Sequence, residues 1–146
     1  MSEGNIELLR RTWAAYDRGD LEAFAACLTD DWREYGAAGP DGGFGTLEDE
    51  RRTMELHRPA FPNKHTEIRR ILADDELVAC HCTVTATHTG TYLDLEPTGK
   101  QVVVHEMMFN RVRDTRLAET WAVTQGDGFY EQIAGRSAPA GLDNLG

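Results

Sequence analysis

Nowhere along the 146 residues do about 18 apolar positions follow one another, so no segment is expected to cross a membrane as a helix. The opening residues, Met1 to Ile6, have neither a basic segment nor an apolar run, which argues against a secretory leader and for a cytoplasmic protein. Basic charge is also scarce. Fifteen Lys and Arg face 25 Asp and Glu, giving a formal net charge of -10 with no basic stripe. Such a field repels phosphates, so nucleic acid is not an expected partner. The doublets Arg10-Arg11, Arg51-Arg52 and Arg69-Arg70 lie among acidic neighbours and read as solvated faces. The three cysteines, Cys27, Cys80 and Cys82, cannot all pair with one another and are expected as free thiols. On a strand, Cys80 and Cys82 would point away from His81 and no second ligand pair follows, so no metal site is expected. The chain also lacks a Gly-x-Ser-x-Gly elbow, a phosphate-cradling GK[ST] loop and a dinucleotide fingerprint. No cofactor is implied.

What is present fits one small globular domain over residues 1–146. Apolar residues make up 40% and charged residues 27%, enough for a core and too short a chain for two ordinary domains. Ile6, Leu9, Trp13 and Tyr16 recur at helical spacing and form one stripe between Asn5 and Asp17. Gly19 suits the end of that helix, and Asp20 can cap a second carrying Leu21, Phe24, Ala25 and Leu28. Trp32 to Tyr35 reads as a short strand. Six Gly and Pro residues between Gly36 and Gly45 predict a loop without regular structure. Thr46 to Asp49 resembles a capping box, starting a third helix that runs toward His57 and is ended by Pro59 and Pro62.

From Thr66 onward β-branched residues alternate, predicting strands at 66–73, 76–89, 101–113 and 116–125. Helices first and a meander last predict an α+β fold in which an antiparallel sheet packs on three N-terminal helices. The tail beyond Gln125 has one apolar cluster, Phe129, Tyr130 and Ile133, and is expected to be loosely attached or to cover a neighbouring subunit, with flexibility from about residue 134.

The run from His88 to Lys100, with its HTG and PTGK turns, the arginine of Phe109-Asn110-Arg111, the segment Arg116 to Trp121 and the segment Ala60-Phe61-Pro62-Asn63 resemble the SnoaL-like polyketide cyclase or ester cyclase family. The resemblance implies a cone-shaped α+β barrel of the nuclear-transport-factor-2-like kind, whose helices close one side of a curved sheet around a deep pocket. It further implies a homodimer and a cofactor-independent enzyme of secondary metabolism, of lyase or isomerase type, that closes rings by an intramolecular aldol reaction on polyketide esters. Relatives that are hydroxylases or binding proteins keep two alternatives open. The family's proton-transfer residue falls near Met108, which cannot transfer protons, and Glu106 two positions earlier shares its strand face.

An aldol step needs a base beside a carbonyl and a donor for the enolate. Glu106 is the candidate base if it faces the cavity, and an exposed glutamate if it does not. His88, on an apolar strand face within the HTG turn, is either a second catalytic group or a core histidine. His105 points to the opposite face from Glu106. Trp13, Tyr16, Trp32, Tyr35, Phe61, Met108 and Trp121 are candidate walls for an apolar, aromatic or polyketide-like ligand, and His57 is a candidate at the cavity mouth.

Overall fold

Local chemistry explains most of the element boundaries in the computed structural model, which describes residues 2–36 and 39–139. Helix α1 spans Ser2–Asp17 and helix α2 Leu21–Ala26. The Asp20 carboxylate accepts the Ala23 N–H at 3.0 Å and caps α2. The buried face of α1 is Asn5, Leu8, Leu9, Thr12 and Ala15, rotated from the expected stripe. Trp13 and Tyr16 stay half-buried at its edge.

Strand β1, Leu28–Tyr35, is longer than expected. The Gly-rich segment is not wholly irregular. It holds a 3-10 turn over Gly39–Gly42, and Gly45 pairs with Glu34 through both backbone bonds, 3.0 and 2.8 Å. Helix α3, Leu47–Ala60, begins at Thr46 with the reciprocal capping box to Asp49. It continues past His57 because Pro59 sits in its last turn, where one lost backbone bond is tolerated, and the Phe61 N–H closes the turn on the His57 carbonyl at 2.7 Å.

Strands β2 (His65–Ala73), β3 (Leu77–Thr87), β4 (Gln101–Arg113) and β5 (Arg116–Gln125) form the meander. The five-stranded sheet is curved and unclosed, in the order β1-β5-β4-β3-β2. It is not purely antiparallel. Strand β1 joins the edge of β5 in parallel, since α3 and three more strands intervene and no hairpin dictates its direction. Inward residues of the sheet join two core clusters, one around Leu9, Phe24, Val78 and Leu117 and one around Phe61, Tyr92, Val102 and Phe129.

The segment after β5 folds back onto its own sheet. Helix α4, Phe129–Ala134, buries Phe129, Tyr130 and Ile133 in the second cluster. Gln132 bonds the backbone N–H and carbonyl of Val103 at 3.1 and 2.7 Å, where β4 has outrun its β5 partner. The expected tail from about 134 falls partly on residues 140–146, which lie outside the described residues.

The HTG and PTGK turns fasten these parts together. The N–H groups of Thr89 and Gly90 both donate to the Ala60 carbonyl, at 3.0 and 3.2 Å, and so grip the end of α3. The Thr98 N–H donates to His88 Nδ1 at 3.2 Å, with the Thr98 hydroxyl 2.9 Å from the same nitrogen. Gly99 takes φ +71° to let its N–H reach the His88 carbonyl at 2.8 Å. Lys100 Nζ reaches the Ile133 carbonyl at 2.9 Å, near the end of α4.

Alternation leaves an apolar outer face. Register aligns Leu72, Ala79, Phe109 and Trp121 in one row and Arg70, His81, Met107 and Val123 in the next. Leu72, Met107, Phe109 and Val123 are 76%, 63%, 57% and 50% exposed.

A Cβ at Gly90 would lie 2.0 Å from the Pro59 carbonyl oxygen. Gly90→Ala is therefore expected to destabilise the protein by about 2 kcal/mol or more, measured by urea unfolding.

Candidate functional site

Between α3 and the concave side of the sheet lies a cavity of about 290 Å³. Its apolar wall is Trp13, Val84, Val104, Met108, Ala122 and Phe129. Its polar groups are Tyr16, Glu34, Glu50, His57, Lys64 and Glu106, with Thr53, Thr66 and Thr124 between them. Glu106 and Met108 both face inward, because β4 runs without a bulge opposite Cys82 and Cys80. Glu34 comes from β1, two residues beyond Trp32. Glu50, Thr53 and His57 share one face of α3 at spacings of three and four.

Burial sets the electrostatics. It raises the pKa of Glu34 well above the usual carboxylate value, and the neighbouring charges of Glu50 and Glu106 push the same way. Burial also raises Glu50, against the opposing pull of the Tyr16 hydroxyl and Lys64. Glu106 is raised by burial and held back by Lys64 alone. Lys64 is lowered by burial, an effect opposed by Asp17, Glu50 and Glu106. The Tyr16 hydroxyl is pushed up by burial first and by Glu50 next.

Lys64 Nζ lies 3.2 Å from His57 Nδ1 and 4.4 Å from the centre of the Tyr16 ring. On its other side, His57 Nε2 lies 3.3 Å from the Tyr92 hydroxyl, within hydrogen-bond distance. Tyr16, His57 and Lys64 also line a crevice of about 310 Å³ on their far side, with Phe61 and Met54. These three side chains separate the two spaces.

The structure thus brings Glu106, Met108, Trp13, Tyr16 and His57 to one cavity and leaves other sequence candidates outside its lining. His88 is fully buried between the two turns. Its Nδ1 accepts from the Thr98 backbone, and burial lowers its pKa against the opposing effect of a backbone hydrogen bond at Gly90. Trp32 donates to the Thr120 hydroxyl at 3.1 Å, and Thr120 in turn to Asn110 at 2.8 Å, in a buried chain. Tyr35 packs on Trp121 at 5.7 Å beneath the Gly-rich segment, and Trp121 belongs to the outer face. Phe61 lines the far crevice. Arg111 pairs with Glu119 at 3.2 Å on the surface.

The sequence reading missed Glu34, Glu50 and Lys64. The polar stripe Glu50, Thr53, His57 was a usable helix signal, whereas Lys64 sits in a turn with no periodicity. Among the described residues no group of three or more His, Cys, Asp or Glu is arranged to hold a metal ion, and no helix is long and apolar enough to cross a membrane. Cys27, Cys80 and Cys82 are free and buried.

The family model of SnoaL-like polyketide cyclases matches residues 6–133. The chain belongs to that family. AclR of Streptomyces galilaeus, a proposed hydroxylase, is 26% identical, with a TM-score of 0.78 over 94% of this chain and 85% of its own. IdmH of Streptomyces antibioticus, a proposed polyketide cyclase, is 22% identical, with a TM-score of 0.74 over 88% and 97%. A proposed polyketide cyclase of Acidithiobacillus ferrooxidans is 23% identical, with a TM-score of 0.73 over 90% and 95%. The last two likenesses concern the fold. Among curated proteins none matches the chain in sequence.

A carboxylate whose folded pKa is raised favours the fold while both states are protonated, and that stability is lost as pH rises through the folded value. Glu34→Gln should therefore melt several degrees above the parent near pH 8, the scale of about 1 kcal/mol in a domain of this size. The gap should close toward about pH 4, where the unfolded carboxylate also protonates. Melting temperatures across pH check this.

Proposed function

We propose that this SnoaL-like protein is a small-molecule enzyme of secondary metabolism that closes a ring in a polyketide-like carbonyl compound, or isomerises it, by proton transfer from its own side chains. The observation that carries this reading is Glu106, facing the cavity with its proton affinity raised by burial and moderated by Lys64. That environment brings a carboxylate toward the basicity needed at neutral pH.

In the ring-closing step Glu106 takes the proton from the carbon beside a substrate carbonyl. The C–H electron pair becomes the enolate, whose oxygen is stabilised by the Lys64 ammonium or the Tyr16 hydroxyl. The enolate carbon then bonds to a second carbonyl carbon of the same molecule, and the alkoxide formed takes the proton back from Glu106. No oxidant is consumed and no atom leaves. Isomerisation returns the proton to a different carbon. Trp13, Met108 and Phe129 supply the apolar wall against which a flat substrate lies. His88 has no role in this scheme, since it lies outside the cavity lining.

Glu106→Gln is expected to lower kcat on an aromatic polyketide ester by roughly 10²–10⁴-fold with a melting temperature no lower than the parent's. An unchanged rate removes Glu106 from the mechanism. The 26% identity to a proposed hydroxylase favours a second reading, hydroxylation. Oxygen uptake matched to product would establish it, and turnover under anaerobic conditions would exclude it. Binding without product by the parent protein would make this a carrier, the reading that Met108 at the family's acid position favours.

The outer sheet face supports a homodimer, since Met107, Phe109 and Val123 form an exposed apolar patch on adjoining strands. Phe109→Glu should convert the dimer to a monomer in light scattering, and a parent protein that is already monomeric would refute the assignment.

A further inference from the structure

Charges inside the cavity do not balance. Glu34, Glu50 and Glu106 face it, and Lys64 is the one Lys or Arg in its lining. Lys64 acts on Glu50 and Glu106, while Asp17 draws on it from the other side. Glu34 receives only the repulsion of the two other carboxylates. Its side chain has no hydrogen-bond or ion-pair partner among the described residues, and it is half-buried against the cavity it faces. An enclosed carboxylate in this position ordinarily has a cation or a donor beside it.

The position of the pair adds a second argument. Glu34, Glu50, Thr53, Ala122 and Thr124 line both the cavity and the outer recess beneath Gly42–Gly45. The carboxylates therefore stand between the inner space and that recess, which Asp49 and Arg52 also line. Elsewhere in the lining, Trp13, Tyr16 and Phe129 present aromatic surface. Rings on one part of the wall and carboxylates on another match a molecule with a flat apolar body and a positively charged end.

We infer that the ligand of this cavity carries a protonated amine, held between Glu34 and Glu50 while its apolar body lies against Trp13 and Phe129. The inference rests on the reading of the cavity as a small-molecule site and adds the chemical class that site selects. Glu106 is left free for proton transfer. Charge recognition and chemistry thus fall to different carboxylates of one cavity.

The test uses two nearly isosteric probes, 1-naphthylmethylamine, which is an ammonium near neutral pH, and neutral 1-naphthalenemethanol, titrated calorimetrically into the full chain. The amine should bind roughly tenfold tighter or more, the scale of one charge-assisted contact. Glu34→Gln, which removes a repelled charge and should fold at least as well, should bring the two affinities together. Equal affinities in the parent protein, or an amine preference that survives Glu34→Gln, would overturn the inference and leave the small-molecule reading intact. Failure of both probes to bind would overturn both.

Discussion

The site depends on how α3 is held. At one end the capping box at Thr46 follows directly on the Gly45–Glu34 backbone pair, which ties the start of the helix to β1. At the other, the Ala60 carbonyl is gripped by two N–H groups of the HTG turn. Between these anchors the helix stands away from the sheet, and the gap is the cavity that Glu50, Thr53 and His57 face from above and Val104, Glu106 and Met108 from below. A helix packed along its whole length would have filled that space with side chains. Anchoring at the ends leaves it open.

The open space has a cost in stability that falls on its charged residues. Carboxylates and an ammonium are taken out of water into a space walled partly by aromatic and aliphatic groups, and the shifts of Glu34, Glu50, Glu106 and Lys64 all have burial as their first cause. A protein selected for stability alone would have apolar residues there. The proposed ligand reading accounts for several like charges retained in one cavity, because a bound molecule can supply the missing partner.

The motifs behind the family resemblance turn out to do structural work. His88, Thr98 and Gly99 join two turns, Gly90 is small because the α3 carbonyls approach closely, and Arg111 pairs with Glu119 on the surface. Motifs of this kind identify the family because the fold requires them. They say little about the cavity, whose polar groups lie at positions the motifs do not include.

The sequence by itself determined the α+β class, the capped starts of α2 and α3, and the meander, whose expected segments 66–73, 101–113 and 116–125 match β2, β4 and β5 closely. Those features are local, since alternation and capping are written within a few residues. Alternation also put Glu106 and Met108 on one face. Only the tertiary structure decided that this face looks into the cavity, that β1 pairs in parallel and that α4 docks on its own sheet. It alone brought together Glu34, Glu50 and Lys64 from β1, α3 and the turn before β2. The physical reason is that a carboxylate in a strand or helix reads as a solvated surface residue until distant elements enclose it, and enclosure is a property of how α3 is anchored across the sheet.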